Sequence, residues 1–397
     1  MQGEAEEKGV ASSGRLRRAG IGLWVLALAA VCVMVSLDPV RRSVTPVFHL
    51  AAERWWARRP LYSDPRGFHY LPQFALLFAP FHVLPVPFGD LFWRILSVVP
   101  VVAGASALSR QASPDGRQGA DRLLGLALLL SIWPCLGAIR NGQTNLAFAG
   151  LLVVAASLLA SERWTAAAAV LVLLVAIKPL GIVVVLLAPW GYPRLLGPLA
   201  AGLAVLAALP FLFAPPAYVL SQYRDAAAHL AGWSGTTETR FADLAAMLRR
   251  FGLPLSAGAA TIARAGFALV TLGLWLTAAR RRAEPARALT LALLAAVYLL
   301  LFNPMTEKNT YAIVAPALGI AAAWAFAAGR RAAGAVFAAA LVSIGVFPEA
   351  FHRLVPDLGL WWDPLALCVV AVVLAVEIAA VPAASRPSRP VRVNAGG

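Results

Sequence analysis

Between residues 21 and 383 the chain is a succession of apolar runs, many of them about 20 residues long, separated by short polar or basic stretches. A helix needs about that length to cross roughly 30 Å of hydrocarbon. Backbone polar groups in lipid must be satisfied within the protein, which leaves helices or a closed barrel, and the alternating ten-residue pattern of a barrel is absent. The residue balance agrees, with 60% hydrophobic and 13% charged, where soluble domains carry about a quarter charged residues. The expected fold class is therefore all-α: a polytopic helical membrane protein with one transmembrane domain over residues 21–383, flanked by basic tails at 1–20 and 384–397.

Orientation follows from charge. Arg15, Arg17 and Arg18 precede the first run, 21–37, and no A-x-A cleavage pattern follows it. That run reads as a retained signal anchor with the amino terminus in the cytoplasm. Residues 38–70 then form a first outer loop, in which VFHLAAERWWARR has the spacing of an amphipathic helix lying on the membrane. Residues 71–85, broken by Pro72, Pro80 and Pro85, are read as not crossing.

Residues 164–190 contain Lys178-Pro179 near their middle. One continuous helix would hold that lysine near the bilayer centre at about 2.5–3.5 kcal/mol. Two short segments meeting outside avoid this, and proline favours the break. Alternation then yields about 12 membrane segments, both termini cytoplasmic, in a plasma or inner membrane, with a long outer loop at 215–253 and another at 348–363. The three cysteines, Cys32, Cys135 and Cys368, fall in apolar runs and read as packing residues.

The polar residues Arg140, Asn141, Gly142, Gln143, Thr144 and Asn145 interrupt one of the most hydrophobic stretches. Such groups are costly in hydrocarbon unless paired, so this island is either a water-facing turn, which Asn-Gly favours, or the wall of a polar cavity. The proposed topology puts other unusual residues on the same outer face: Arg42, His49 and Tyr70 in the first loop, then Lys178, Glu307, Lys308 and Asn309. Lysine is rare here, only three of the 34 basic residues, and two of the three fall on this face. Arginines outside run against the positive-inside trend, which points to an anionic partner. Guanidinium forks suit phosphate oxygens, and lysine supplies a point charge.

At these positions the chain resembles glycosyltransferase family 87, the polyprenyl-phosphate-mannose-dependent mannosyltransferase relatives with the GT-C fold. The segments that carry the resemblance are VFHLAAERWWARRPLY, GFHYLPQFALLFAPF, NGQTNLAFAGLL, IKPL and FNPMTEKNTYAIVAP, in that order over roughly residues 45–320. The resemblance implies a polyprenyl-phosphate sugar donor, a lipid or cell-envelope glycan acceptor, and inverting displacement at the anomeric carbon on the outer face. It further implies a carboxylate in the first outer loop as general base, with basic and amide groups stabilising the departing phosphate.

The family places an aspartate about four residues before the aromatic residue of a pair that here is Val47-Phe48, and that position holds Val44. Asp38 is the nearest carboxylate and the first candidate base; Glu307 is the second. Candidate donor-binding residues are Arg42, His49, Tyr70, Arg140, Asn141, Gln143, Asn145, Lys178, Lys308 and Asn309. No acidic metal cluster is visible, so no metal or other cofactor and no nucleic-acid partner is expected. Two other readings stay open: a transporter or flippase of a lipid-linked sugar precursor, and a non-catalytic relative that kept the fold.

Overall fold

The structure, a computed structural model, describes residues 2–64, 67–113, 115–233 and 240–381, with side chains from Ser12 onward. The basic tail 384–397 and six residues of the 215–253 loop, 234–239, lie outside the described residues. The described chain is all-α. In order its helices are α1 (Gln2–Leu37), α2 (Thr45–Trp56), α3 (Pro72–Val83), α4 (Val86–Ala112), α5 (Gly116–Asn141), α6 (Asn145–Ala160), α7 (Trp164–Ile177) and α8 (Ile182–Gly191). They continue with α9 (Leu196–Ala208), α10 (Pro216–Trp233), α11 (Leu244–Arg250), α12 (Ala257–Arg281), α13 (Ala286–Phe302), α14 (Ala315–Ala327), α15 (Arg331–Ala350) and α16 (Gly359–Ala379).

Among the described residues seven helical segments are long and apolar enough to cross a membrane: α4, α5, α12, α15, α16, the Ser12–Leu37 part of α1, and Pro193–Leu212 around α9. Five shorter apolar helices of 10–17 residues accompany them: α6, α7, α13, α14 and Pro179–Gly191 around α8. At about 1.5 Å per residue the short ones reach less than the roughly 30 Å of a bilayer core. Of these, α6, α13 and α14 are apolar on every side and accordingly form the interior of the bundle, with most of their residues buried. By contrast α12 is enclosed hardly at all and turns its apolar flanks outward.

Two local expectations have clear physical counterparts. The break at Lys178 is real: Lys178 has an extended backbone, φ −158° and ψ 126°, the conformation favoured before proline, and a short turn at Pro179–Gly181 separates α7 from α8. The amphipathic stretch of the first loop is α2, opened by a proline in its first turn. Its buried face is Thr45, Phe48, Ala51, Ala52 and Trp55, the three- and four-residue spacing of a helix stripe. Phe48 seats this face through edge-on contacts with Tyr70, Phe74, Phe78 and Trp93.

The ends of the helices gather at two ends of the bundle. One end is tied by Arg17–Asp121 at 3.1 Å, Arg194–Glu162 at 3.8 Å and an Arg330–Glu377 pair. The other end gathers the α5–α6 turn, the Lys178 break and the segment after α13, together with Leu230 of α10 and with Arg240 and Phe241 before α11.

Candidate active site at one end of the bundle

The 140–145 island is both a turn and a wall. Helix α5 ends at Asn141, and Gly142 follows in the left-handed region at φ 71°, its N–H donating to Ala138 O at 3.0 Å. Glycine takes that conformation without a Cβ penalty. Thr144 then leads into α6.

The turn is clamped from α4. Arg94, 1% exposed, donates to Ile139 O, Arg140 O, Asp90 O and Ser43 Oγ at 3.0–3.2 Å, while Trp93 Nε1 donates to Gly142 O at 2.7 Å. Arginine's fork thus satisfies carbonyls that a helix C-terminus leaves free. Asp90, equally buried, lies 3.8 Å from Arg94 and accepts from Thr45 Oγ1 at 2.7 Å. The first loop is stitched to the same turn by Val44 N–H to Asn141 O at 2.9 Å and Asn141 Nδ2 to Arg42 O at 3.2 Å.

Below this turn lies a cavity of about 360 Å³ whose lining includes Val44, His69, Tyr70, Gln143, Lys178 and Glu307. A continuous polar chain runs along its wall and behind it. Lys178 Nζ donates to Asn145 Oδ1; Asn145 Nδ2 donates to Gln143 Oε1 at 2.6 Å and to Asn309 O at 3.2 Å; Gln143 Nε2 donates to Glu307 Oε2 at 3.1 Å. Arg240 closes the series 3.6 Å from Glu307 Oε1. Asn145 is completely buried, so this chain meets the cost of placing amides in an apolar bundle by pairing every link. Glu307 also caps the short helical turn Lys308–Ile313, in a reciprocal exchange with Thr310.

A second opening, a groove of about 680 Å³, runs between the same ends of α1, α5, α15 and α16. Arg42, Arg140, Lys308 and Asn309 line it, with Asp363 and Glu349. The residues expected to form one donor site are thus divided: Tyr70, Asn141, Gln143, Lys178 and Glu307 face the cavity, Arg42, Arg140, Lys308 and Asn309 the groove, and Asn145 links across behind.

Two expected site residues go elsewhere. His49 Nε2 is hydrogen-bonded to Asp90 Oδ1 at 2.9 Å and lines neither opening. Asp38 is exposed just beyond α1, where its carboxylate accepts from Arg41 N–H at 3.2 Å. Val44, by contrast, lines the cavity, so the position at which the resemblance led to the expectation of a carboxylate presents an apolar side chain there.

Several participants escaped sequence reasoning. Asp90 and Arg94 stand at i, i+4 inside an apolar helix, and ionisable residues there are a functional signal that spacing alone would have revealed. Asp363 was assigned to a loop but belongs to α16. His69 and His229 are joined, Nδ1 to Nε2, at 2.8 Å, and nothing in their sequence separation suggests it. Burial pushes the His69 imidazole down to about 4, with His229, Arg240 and Lys178 adding in the same direction. His69 therefore presents a neutral ring to the cavity at neutral pH.

The model of the family described as Glycosyltransferase family 87 matches residues 68–304, more than half of the chain. The match contains the clamp, the island and Lys178, and stops three residues short of Glu307. No curated protein matches the chain.

Proposed function

The chain belongs to glycosyltransferase family 87, and on that premise we propose that it moves a hexose, mannose by family analogy, from a polyprenyl-phosphate carrier to a lipid or cell-envelope glycan. It is a membrane glycosyltransferase. The observation that carries the finer reading is the paired chain Lys178–Asn145–Gln143–Glu307, which holds a carboxylate in a polar cavity where the helices of an apolar bundle end.

In the transfer the acceptor hydroxyl oxygen bonds to the anomeric carbon as the bond from that carbon to the phosphate oxygen breaks. The electron pair leaves with the phosphate, and the hydroxyl proton passes to Glu307 as general base. Gln143, donating to Glu307 Oε2, and Arg240, 3.6 Å from Oε1, hold that carboxylate in place from its two sides. Cations and amide donors aimed at the departing phosphate stabilise the charge that develops there. With Val44 at the family's usual position, the base comes from the far end of the chain instead of the first loop.

An outer-face location is supported by charge. The opposite end of the bundle carries Arg17, Arg194, Arg282 and Arg330, as the positive-inside rule expects of the cytoplasmic side.

The test is transfer of labelled sugar from synthetic polyprenyl-phosphoryl mannose, glucose and galactose by the purified protein to membrane lipid extracts. Label moving from at least one donor is the expected result. No transfer from any of them, with the protein folded, would overturn the reading.

A further inference from the structure

The end of the bundle away from the candidate active site carries a different chemistry. Helix α5 begins there and ends at the 140–145 island, while α4 runs from the Asp90–Arg94 clamp down to Arg110. Between these ends of α1, α4 and α5 lies a cleft of about 520 Å³, whose lining includes Arg17, Arg110, Arg117, Ser106 and Asp121.

Three guanidinium groups thus share a space with the single carboxylate of Asp121. Local structure accounts for two of them. Arg17 Nη1 is paired with Asp121 Oδ1 at 3.1 Å. Arg110 stands in the last turn of α4, where the helix dipole favours a cation, and donates to Ser106 Oγ one turn back at 2.7 Å. Arg117 is different. It is exposed in the first turn of α5, the end at which the dipole disfavours positive charge. Among the described residues neither it nor Arg110 has an ion-pair partner. An anion seated in the cleft would answer both cations.

The approach to the cleft is apolar. Phe92, Leu96, Val99 and Ala103 of α4 are exposed, and Ser106 and Arg110 follow them at the same alternating steps of four and three residues, which keep to one helix face. Phe92, Leu96 and Val99 are 41–53% exposed. At about 1.5 Å per residue the stripe from Phe92 to Arg110 is about 27 Å long, close to the roughly 30 Å of a hydrocarbon core. A bilayer that meets Phe92 at one margin therefore meets Arg110 at the other, at the level of lipid headgroups. A soluble anion would use the arginines alone; a molecule with a phosphate head and an acyl tail uses the stripe as well.

We propose that this cleft binds the headgroup of an anionic phospholipid. The phosphodiester accepts charge-assisted bonds from Arg110 and Arg117, Arg17 stands beside it as a third cation fixed by Asp121, and one acyl chain lies along the α4 stripe. Basic pockets between membrane helices hold such headgroups in general. One lipid then ties α1, α4 and α5 together at the end opposite the candidate active site. Because it binds the folded chain, it raises stability by mass action.

The experiment measures equilibrium binding of dioleoylphosphatidylglycerol and dioleoylphosphatidylcholine to the purified full-length protein in neutral detergent, with thermal unfolding followed alongside. The anionic lipid should bind at least about tenfold more tightly than the zwitterionic one and should raise the unfolding midpoint. Arg110→Ala/Arg117→Ala should weaken the anionic lipid by about thirtyfold, the value of two arginines at a lipid surface, and abolish the rise. Arg18→Ala/Arg122→Ala removes the same charge from exposed positions next to Arg17 and Asp121 but outside the cleft lining. It should weaken binding by no more than about threefold at physiological salt, which screens such charges.

Equal losses in the two double variants would mean a generally basic surface and would overturn the proposal. So would equal affinity for the two lipids. Displacement of the anionic lipid by excess glycerol phosphate would make the ligand a soluble phosphate ester and would overturn it too. The lipid comparison and the glycerol phosphate competition use the natural chain, so they decide the matter even where a variant fails to fold.

Discussion

Changing Glu307 to glutamine separates chemistry from structure more cleanly than any other substitution at this site. Glutamine keeps the side-chain length and one carbonyl oxygen, enough to accept from Gln143 Nε2, now 3.1 Å from the carboxylate, and to go on capping the turn that begins at Lys308. What it loses is charge. The facing cation, Arg240, is 3.6 Å away, and the two side chains are 43% and 34% exposed, so the lost ion pair is worth about 0–1 kcal/mol.

The kinetic term is far larger. A positioned general base contributes about 10²–10⁴-fold, which is roughly 3–5 kcal/mol of barrier at about 1.4 kcal/mol per factor of ten. Single-turnover transfer of labelled sugar in Glu307→Gln should therefore fall by about 100-fold or more, with thermal unfolding shifted by no more than the equivalent of about 1 kcal/mol. Glu307→Asp, with its carboxylate drawn back by one methylene, should fall between the two. If Glu307→Gln transfers within about tenfold of the natural chain while folded, a base contribution of this size is excluded, and the proton must go elsewhere.

Further outcomes follow from the same geometry. Arg94→Met removes the clamp on the α5–α6 turn and leaves Asp90 without its buried counter-charge. It should cost about 3–5 kcal/mol in unfolding measurements, and Arg94→Lys, lacking the planar fork, should recover little of it. Gly150→Ala would place a Cβ 2.4 Å from the backbone nitrogen of Val101. It should destabilise the fold by about 1–3 kcal/mol, read in the same assay. His69 titrates near 4 in the native state because of burial, against about 6.5 when unfolded, so the unfolded chain binds more protons between those values. Stability should be full above about pH 6.5 and decline as pH falls toward 4. His69→Phe should flatten that decline in melting curves taken across the window.

What could be read from sequence was whatever depends on local chemistry along the chain. Runs of apolar residues become helices because hydrocarbon admits little else, and the break at Lys178-Pro179 follows from proline's own geometry. The α2 stripe is legible because three- and four-residue spacing puts side chains on one face. The family resemblance rests on short segments of the same local kind. Even the ambiguity of the 140–145 island was well posed, since its residues prove to be a turn and a cavity wall at once.

The division of labour at the site had to wait for the fold. Successive residues of a helix point about 100° apart, and in a turn the directions depend on how the flanking helices enter it. Sequence distance therefore says nothing about whether Arg140 and Asn141, or Glu307 and Lys308, look into one space or two. Packing decided that they look into two. Packing also left Asp38 outside both openings, set Val44 on the cavity wall and Asp363 in the groove, and buried Asp90 and Arg94 against each other. These are long-range outcomes of helix rotation and burial, and no window of the chain contains them.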